Sequence, residues 1–292
     1  MLKNPRLRLL LGAALISFSP VYVALVSVPA TTSAFYRVAF GGVALVMWLL
    51  LRGGFRLPRL SVSLLLIAAA MMFAADLWFW HRSIIYIGPG LATLIANFQV
   101  FIMTVAGIVF FGQKPHLRQV IAIPMALGGL ALIVGVDWSA LAPDYRAGVI
   151  FGLLTAASYA GYLLLFRQAQ AYSKSKPSDG LPTRELALVS LASALMLGTM
   201  AGVEGESLAI PTWSDGAWLV AYAVFAHVLG WLFIASSLAH VPAALIGLSL
   251  LLQPLLSFIW DIALFDRPIV TREVLGASLA LAGIWLGSRR TE

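Results

Sequence analysis

The chain has 292 residues, 61% of them hydrophobic and only 11% charged, against roughly 25% charged in ordinary soluble domains. A mean hydropathy of +0.94 spread along the whole length excludes a water-soluble fold and leaves no half polar enough to be a catalytic domain on a membrane anchor. There is no cysteine, hence no disulfide framework and no thiolate metal site, and the net charge of +7 points to nucleic acid only if the basic residues gather in one place.

In chain order, apolar runs punctuated by Pro, Gly and charges predict ten membrane helices, at 8–27, 33–51, 61–86, 89–111, 118–136, 147–169, 184–202, 215–239, 242–264 and 271–288. The fold class is therefore an all-α membrane protein of ten transmembrane helices. Barrel strands are excluded because runs such as 245–256 do not alternate. The run after Lys3, Arg6 and Arg8 is long enough to span and is read as the first helix, not as a cleaved leader.

With the N terminus in the cytoplasm, the inner side receives Lys3, Arg6, Arg8, Arg52, Arg56, Arg59, Lys114, Arg118, Arg167, Lys174, Lys176, Arg184, Arg289 and Arg290 out of 19 basic residues. The outer side carries Arg82, Arg146, Arg267 and Arg272 with most of the acids, including Asp144, Glu204, Glu206 and Asp215. This positive-inside pattern predicts a bacterial inner-membrane protein with both termini cytoplasmic. It also scatters the basic residues over several short loops, so nucleic acid is not expected as a partner.

The sequence repeats. Trp78, Ser83 and Pro89 align with Trp231, Ser236 and Pro242 at one offset, Gln99 with Gln253 and Gly129 with Gly283 after a one-residue slip, and the turns Lys114-Pro115 and Arg267-Pro268 at the first offset. Gly12 and Tyr22 align more weakly with Gly152 and Tyr162. Two copies of five helices, 1–140 and 141–292, must cross the bilayer in opposite senses. Inverted repeats of this kind place a solute site at their interface near the midplane.

Those half-repeats resemble the EamA half-domain of the drug/metabolite transporter superfamily. The stretches that carry the likeness are Gly90-Leu-Ala-Thr-Leu-Ile-Ala-Asn-Phe-Gln-Val-Phe, Phe111-Gly-Gln-Lys-Pro and Leu127-Gly-Gly-Leu-Ala-Leu-Ile-Val-Gly, with 243–254, Phe265-Asp-Arg-Pro and Leu281-Ala-Gly-Ile-Trp-Leu-Gly in the second copy. Arg37 matches an arginine common in that family, whereas residues 171–218 depart most and the helix at 184–202 has no counterpart of it. In size and aromatic content the chain is most similar to YddG-type exporters, and this resemblance implies amino acids, aromatic ones among them, as the exported solutes.

Ionisable groups inside a membrane are costly and so face the interior or a wet cavity. Asp76 is the most central acid, and Met72, Asp76, Trp80 and Ser83 share one predicted face of the third helix. Asp76 either belongs to the site or is a buried carboxylate paired with Arg37 or Arg82. His227, four residues before Trp231, either moves protons or packs as a neutral hydrogen-bonded ring. Asn97, Gln99 and Gln253 sit in greasy runs and suit the zwitterionic head of an amino acid or glue helices together. Ser158, Tyr159, Tyr162 and Tyr22 add hydroxyls and rings, and Trp78 joins Trp80 and Trp231 as a candidate for stacking on solute. Trp48, Trp138, Trp213 and Trp285 fall at predicted helix ends and read as interfacial anchors. Arg37, about five residues inside the outer end of the second helix and within snorkelling range of the headgroups, reads as structural, with a site for carboxylates or a gate charge pair as the alternative, and Asp261, close to the outer end of the ninth, reads as structural. Pro89 and Pro242 mark helix starts, and Pro20 and Pro254 are candidate hinges.

The spacings Gly148-x-x-x-Gly152, Gly198-x-x-x-Gly202 and Gly283-x-x-x-Gly287 favour packing within one chain, so a monomer is expected with a dimer as the alternative. No His-Glu-x-x-His, Gly-x-Ser-x-Gly or Walker glycine loop occurs, so no enzyme, cofactor or metal site is expected. The expected partners are a small solute and membrane lipid, with cationic drugs or nucleotide-sugar-like metabolites as the rival solute classes.

Overall fold

In a hydrocarbon solvent each backbone N–H and C=O must be paired within its own segment, which leaves helix as the structure of long apolar runs. The computed structural model describes residues 4–52, 57–111, 117–134, 142–173, 182–238, 250, 252–265 and 270–288, and these are helical almost throughout, with no strand among them. Pro242, Trp138 and the turns Lys114-Pro115 and Arg267-Pro268 lie outside the described residues.

The helices are α1 (Pro5–Ser17), α2 (Ser19–Leu25), α3 (Ala30–Leu51), α4 (Leu60–Ile87), α5 (Pro89–Ala96), α6 (Gln99–Phe111), α7 (Leu117–Val134), α8 (Pro143–Tyr172), α9 (Thr183–Val203), α10 (Trp213–Ala221), a π-helical segment (Tyr222–Leu229), α11 (Gly230–Leu238), α12 (Leu252–Phe265) and α13 (Thr271–Ser288). Among the described residues, six helical stretches are long and apolar enough to cross a membrane: Pro5–Leu25, Ala30–Leu51, Leu60–Ile87, Pro143–Tyr172, Thr183–Val203 and Trp213–Ser237. Large apolar side chains such as Met47, Leu64, Ile85 and Leu195 stand exposed on the outside, while Arg37, Asp76 and His81 are buried. That is the reverse of a soluble protein and suits a lipid surround.

Two predicted helices are interrupted. The first breaks at Phe18, because Pro20 cannot donate to the carbonyl four residues back and its ring crowds that turn. The Ser17 carbonyl near the break accepts from Ser257 Oγ at 3.0 Å, and Trp260 Nε1 donates to Ser17 Oγ at 3.1 Å while its ring stacks on Phe18. The run predicted at 89–111 breaks at Asn97 and Phe98 without a proline. There the Asn97 side-chain amide takes the Thr93 carbonyl at 2.8 Å, and its backbone N–H turns to Leu94 instead, a side chain displacing the helix's own bond. The α4–α5 corner turns on Gly88, whose φ of +80° is open to glycine, and the Gly90 N–H just beyond donates to Asp261.

Packing follows a pattern. α1 lies along α11 and α8 along α4, α3 faces α9, α5 faces α12, and α7 faces α13. In the last pair the helices nearly touch: a Cβ on Gly129 would meet the Gly276 carbonyl and the Ala280 nitrogen, and one on Gly283 would meet the Ala122 carbonyl and the Ala126 nitrogen. Gly148 and Gly152 let α8 approach Tyr86, Ile87 and Ile95, and Gly198 lets α9 approach Phe35, whereas Gly202 faces nothing within 4 Å. Gly129, Gly148, Gly152, Gly198 and Gly283 thus serve contacts between helices of this chain. Trp48, Trp213 and Trp285 are exposed, as interfacial rings would be.

Candidate functional site

Where the two broken helices meet α3, α4, α8, α11 and α12, a cavity of about 60 Å³ lies inside the bundle. Both breaks reach it, through Ser19 and Pro20 on one side and Thr93, Ala96 and Asn97 on the other. Discontinuous helices at a buried cavity are the usual way a membrane protein brings polar backbone and side chains to mid-depth. The volume is far below the roughly 300 Å³ at which pockets for drug-sized ligands begin, so admitting a solute requires the walls to part.

α4 supplies most of one wall. Phe73, Asp76, Leu77 and Trp80 line it, at the i, i+3, i+4, i+7 spacing of a single helix face. The predicted face is thus rotated by about one position. Met72 packs into the apolar core instead, and Ser83 Oγ donates to the Gly148 carbonyl at 2.8 Å. Tyr159 from α8, Trp231 from α11, Gln253 from α12 and Asn97 complete the sequence-predicted residues that come together here.

The others do not line the cavity. Tyr162 is fully buried beside it, its ring stacked on Phe73 and edge-on to Trp231. Gln99 and Ser158 are buried away from it. His227 is held outside the cavity by α9: Ser190 Oγ donates to the Leu186 carbonyl, which leaves it to accept from His227 Nε2 at 2.7 Å, and the ring stacks near Phe73. Tyr22 stacks on Tyr222.

Trp78 points to one end of the bundle, two residues and about 200° round the helix from Trp80. Its Nε1 donates to Glu204 at 2.8 Å beneath the Arg82 guanidinium, which lies 3.9 Å from the ring centroid. Arg82 forms its ion pair with this same Glu204, so Asp76 is not its partner. Thr31 Oγ1 adds a third donor to Glu204 at 2.6 Å, Glu206 accepts from the Thr31 and Thr32 N–H groups at the start of α3, and Asp215 accepts from Ser27 N–H at 2.7 Å. Burial alone would raise the Glu204 carboxyl, but the bonds from Thr31, Arg82 and Trp78, with the Arg82 charge, outweigh it and hold it below the usual glutamate range.

Arg37 lines the cavity too, although its position five residues inside a predicted helix end suggested snorkelling to the membrane surface. It is 4% exposed. One arm donates to the Tyr222 hydroxyl at 2.9 Å, and Tyr222 opens the π-helical segment, a distortion common at functional sites. Nothing in the sequence marks that segment. Arg82 pairs with Glu204 and Arg184 with Glu185, whereas Arg37 and Asp76 share the cavity without touching as a pair. No cluster of potential metal ligands occurs among the described residues.

The chain is thus a helical bundle with an apolar exterior and a small buried cavity, apolar in most of its lining, at its helix breaks. The profile of the EamA-like transporter family matches residues 7–135 and 146–289, and the chain belongs to that family. It is accordingly a membrane transporter of small molecules and not an enzyme. A solved crystal structure superposes on 97% of this chain and 96% of its own with a TM-score of 0.70 at 17% identity, a likeness of fold. No curated protein matches the sequence.

Proposed function

We propose that the protein exports amino acids, aromatic ones among them, by alternating access around the central cavity. The observation that carries this reading is the cavity's lining: one buried base, Arg37, and one buried acid, Asp76, among Phe73, Trp80, Tyr159 and Trp231. A zwitterion presents a carboxylate and an ammonium a few ångströms apart, and its apolar side chain stacks favourably on such rings. A cationic drug has no use for Arg37, and a nucleotide-sugar-like solute has none for Asp76.

The proposed architecture is ten spans in two inverted halves, 1–140 and 141–292. Its support is the packing: exchanging the halves turns the α1–α11 pair into the α8–α4 pair and maps α3–α9 and α7–α13 onto themselves. The contacts of Gly129 and Gly283 are the same pair of contacts shifted by the separation of these two repeat mates, as an isologous two-fold contact requires. Orientation in the bacterial inner membrane with both termini cytoplasmic rests on the basic residues of the inner loops. The breaks at Phe18 and Asn97 are the hinges about which the halves rock.

Purified protein in liposomes preloaded with unlabelled phenylalanine should accumulate labelled phenylalanine by counterflow. Accumulation of cationic dyes with no effect of any amino acid would refute the proposal.

A further inference from the structure

We infer that Arg37, Trp231 and Gln253 form an anion subsite that receives the carboxylate of the transported solute. The inference rests on the reading of the cavity as the solute site and goes one step past it, by assigning which wall holds which end of the solute.

Three buried N–H groups on this one cavity meet no acceptor: Arg37 Nε, Trp231 Nε1 and Gln253 Nε2. Their residues are 4%, 2% and 6% exposed and come from three helices, α3, α11 and α12. A buried donor left unmade is expensive, and most polar groups around the cavity avoid that cost. Asn97 spends its amide on the Thr93 carbonyl, Thr93 spends its hydroxyl on Pro89, and Thr155 spends its own on Phe151. These bonds stay within one helix and ask nothing of a ligand. Arg37 Nε, Trp231 Nε1 and Gln253 Nε2 make no such bond within their own helices.

Arg37 differs from the other arginines of known pairing in the same sense. Arg82 and Arg184 each lie on a glutamate, whereas the one bond of Arg37 goes to the neutral hydroxyl of Tyr222, which orients the guanidinium without cancelling its charge. A cation with a free N–H, an indole N–H and an amide N–H on three residues that line one cavity suit a group with several acceptor lone pairs. A carboxylate supplies about four. Asp76, the acid of the same cavity, is then left for the ammonium end.

The test is equilibrium binding to the purified full-length transporter of three solutes with one ring and different heads: phenylalanine, 3-phenylpropionate (carboxylate only) and phenethylamine (ammonium only). The subsite predicts that the two carboxylates bind at least about tenfold tighter than phenethylamine. Arg37→Gln should weaken both carboxylates about ten- to a hundredfold and Arg37→Lys less, because lysine keeps the charge and loses the fork. Trp231→Phe keeps a six-membered aromatic ring and removes the N–H together with the five-membered ring, and its binding of phenethylamine guards against a folding artefact. It should weaken both carboxylates about three- to tenfold and leave phenethylamine as it was.

Parallel loss of all three solutes, or carboxylate affinities unchanged in Trp231→Phe and Arg37→Gln, overturns the subsite. Binding of phenylpropionate but of no amino acid keeps the subsite and refutes the amino-acid reading. Phenylalanine binding that ignores the substitutions at Arg37 and Trp231 does the opposite.

Discussion

At one end of the bundle Glu204 accepts from Thr31, Trp78 and Arg82, and Glu206 and Asp215 close the N–H groups around residues 27–32. In the middle of the same bundle, Arg37, Trp231 and Gln253 carry N–H groups that no protein acceptor meets. Both regions are rich in polar groups and both join the first part of the chain to the second, yet one is saturated and the other is not. Saturation stabilises the fold. The unsaturated region costs stability, and a protein keeps such a cost where function needs it.

The sharpest way to break this comparison is to empty the cavity of charge. Replacing Arg37 by Met together with Asp76 by Leu should reduce phenylalanine counterflow at least about a hundredfold, since both proposed head contacts go. The same double variant should be as stable as wild type or more so, by about 1–3 kcal/mol in detergent unfolding, because two buried charges that form no contact pair are gone. Loss of stability together with transport would make the two residues structural.

The end cluster should behave the other way round. Glu204→Gln removes a carboxylate that holds three donors and should cost about 1–3 kcal/mol, with solute affinity unchanged. Because the folded-state value of Glu204 lies below that of the unfolded chain, its contribution is fully present above the ordinary glutamate range. It is lost as pH falls through the depressed value. Melting curves of wild type and Glu204→Gln should therefore converge in acid and separate toward neutral pH. A gap that widens in acid would contradict the assignment.

Smaller effects discriminate between neighbours on one helix. Trp78→Phe gives up a single bond to Glu204, worth about 0.5–1.5 kcal/mol, and should leave transport intact, whereas Trp80→Phe should impair transport. His227→Gln should leave the pH profile of counterflow unmoved, because the ring faces Ser190 and not the cavity. A shifted profile would restore a proton-carrying role.

Much of this was legible beforehand for a simple reason. Lipid demands long apolar runs and punishes every polar residue within them, so Asp76, Asn97, Tyr159, Trp231 and Gln253 stand out in the sequence and do line the cavity. Helix phase was less legible. Trp78 and Trp80 look alike in the sequence, but a rotation of about 200° sends one to the end cluster and the other to the cavity. The break at Asn97 leaves no trace because hydropathy runs straight through it, and the competition between its amide and its own N–H is a three-dimensional event. The inward turn of Arg37 is equally invisible along the sequence. What turns it inward is Tyr222, 185 positions away in sequence and displayed by a π-helical turn.

The most direct test of the cavity as the solute path uses the absence of cysteine from the chain. Thr155→Cys places a single, nearly isosteric thiol on the cavity wall. Its reaction with a small charged methanethiosulfonate in proteoliposomes should be measured with and without phenylalanine. The account predicts labelling that phenylalanine slows in proportion to its occupancy. Counterflow that proceeds while phenylalanine leaves the labelling rate unchanged would place the path elsewhere.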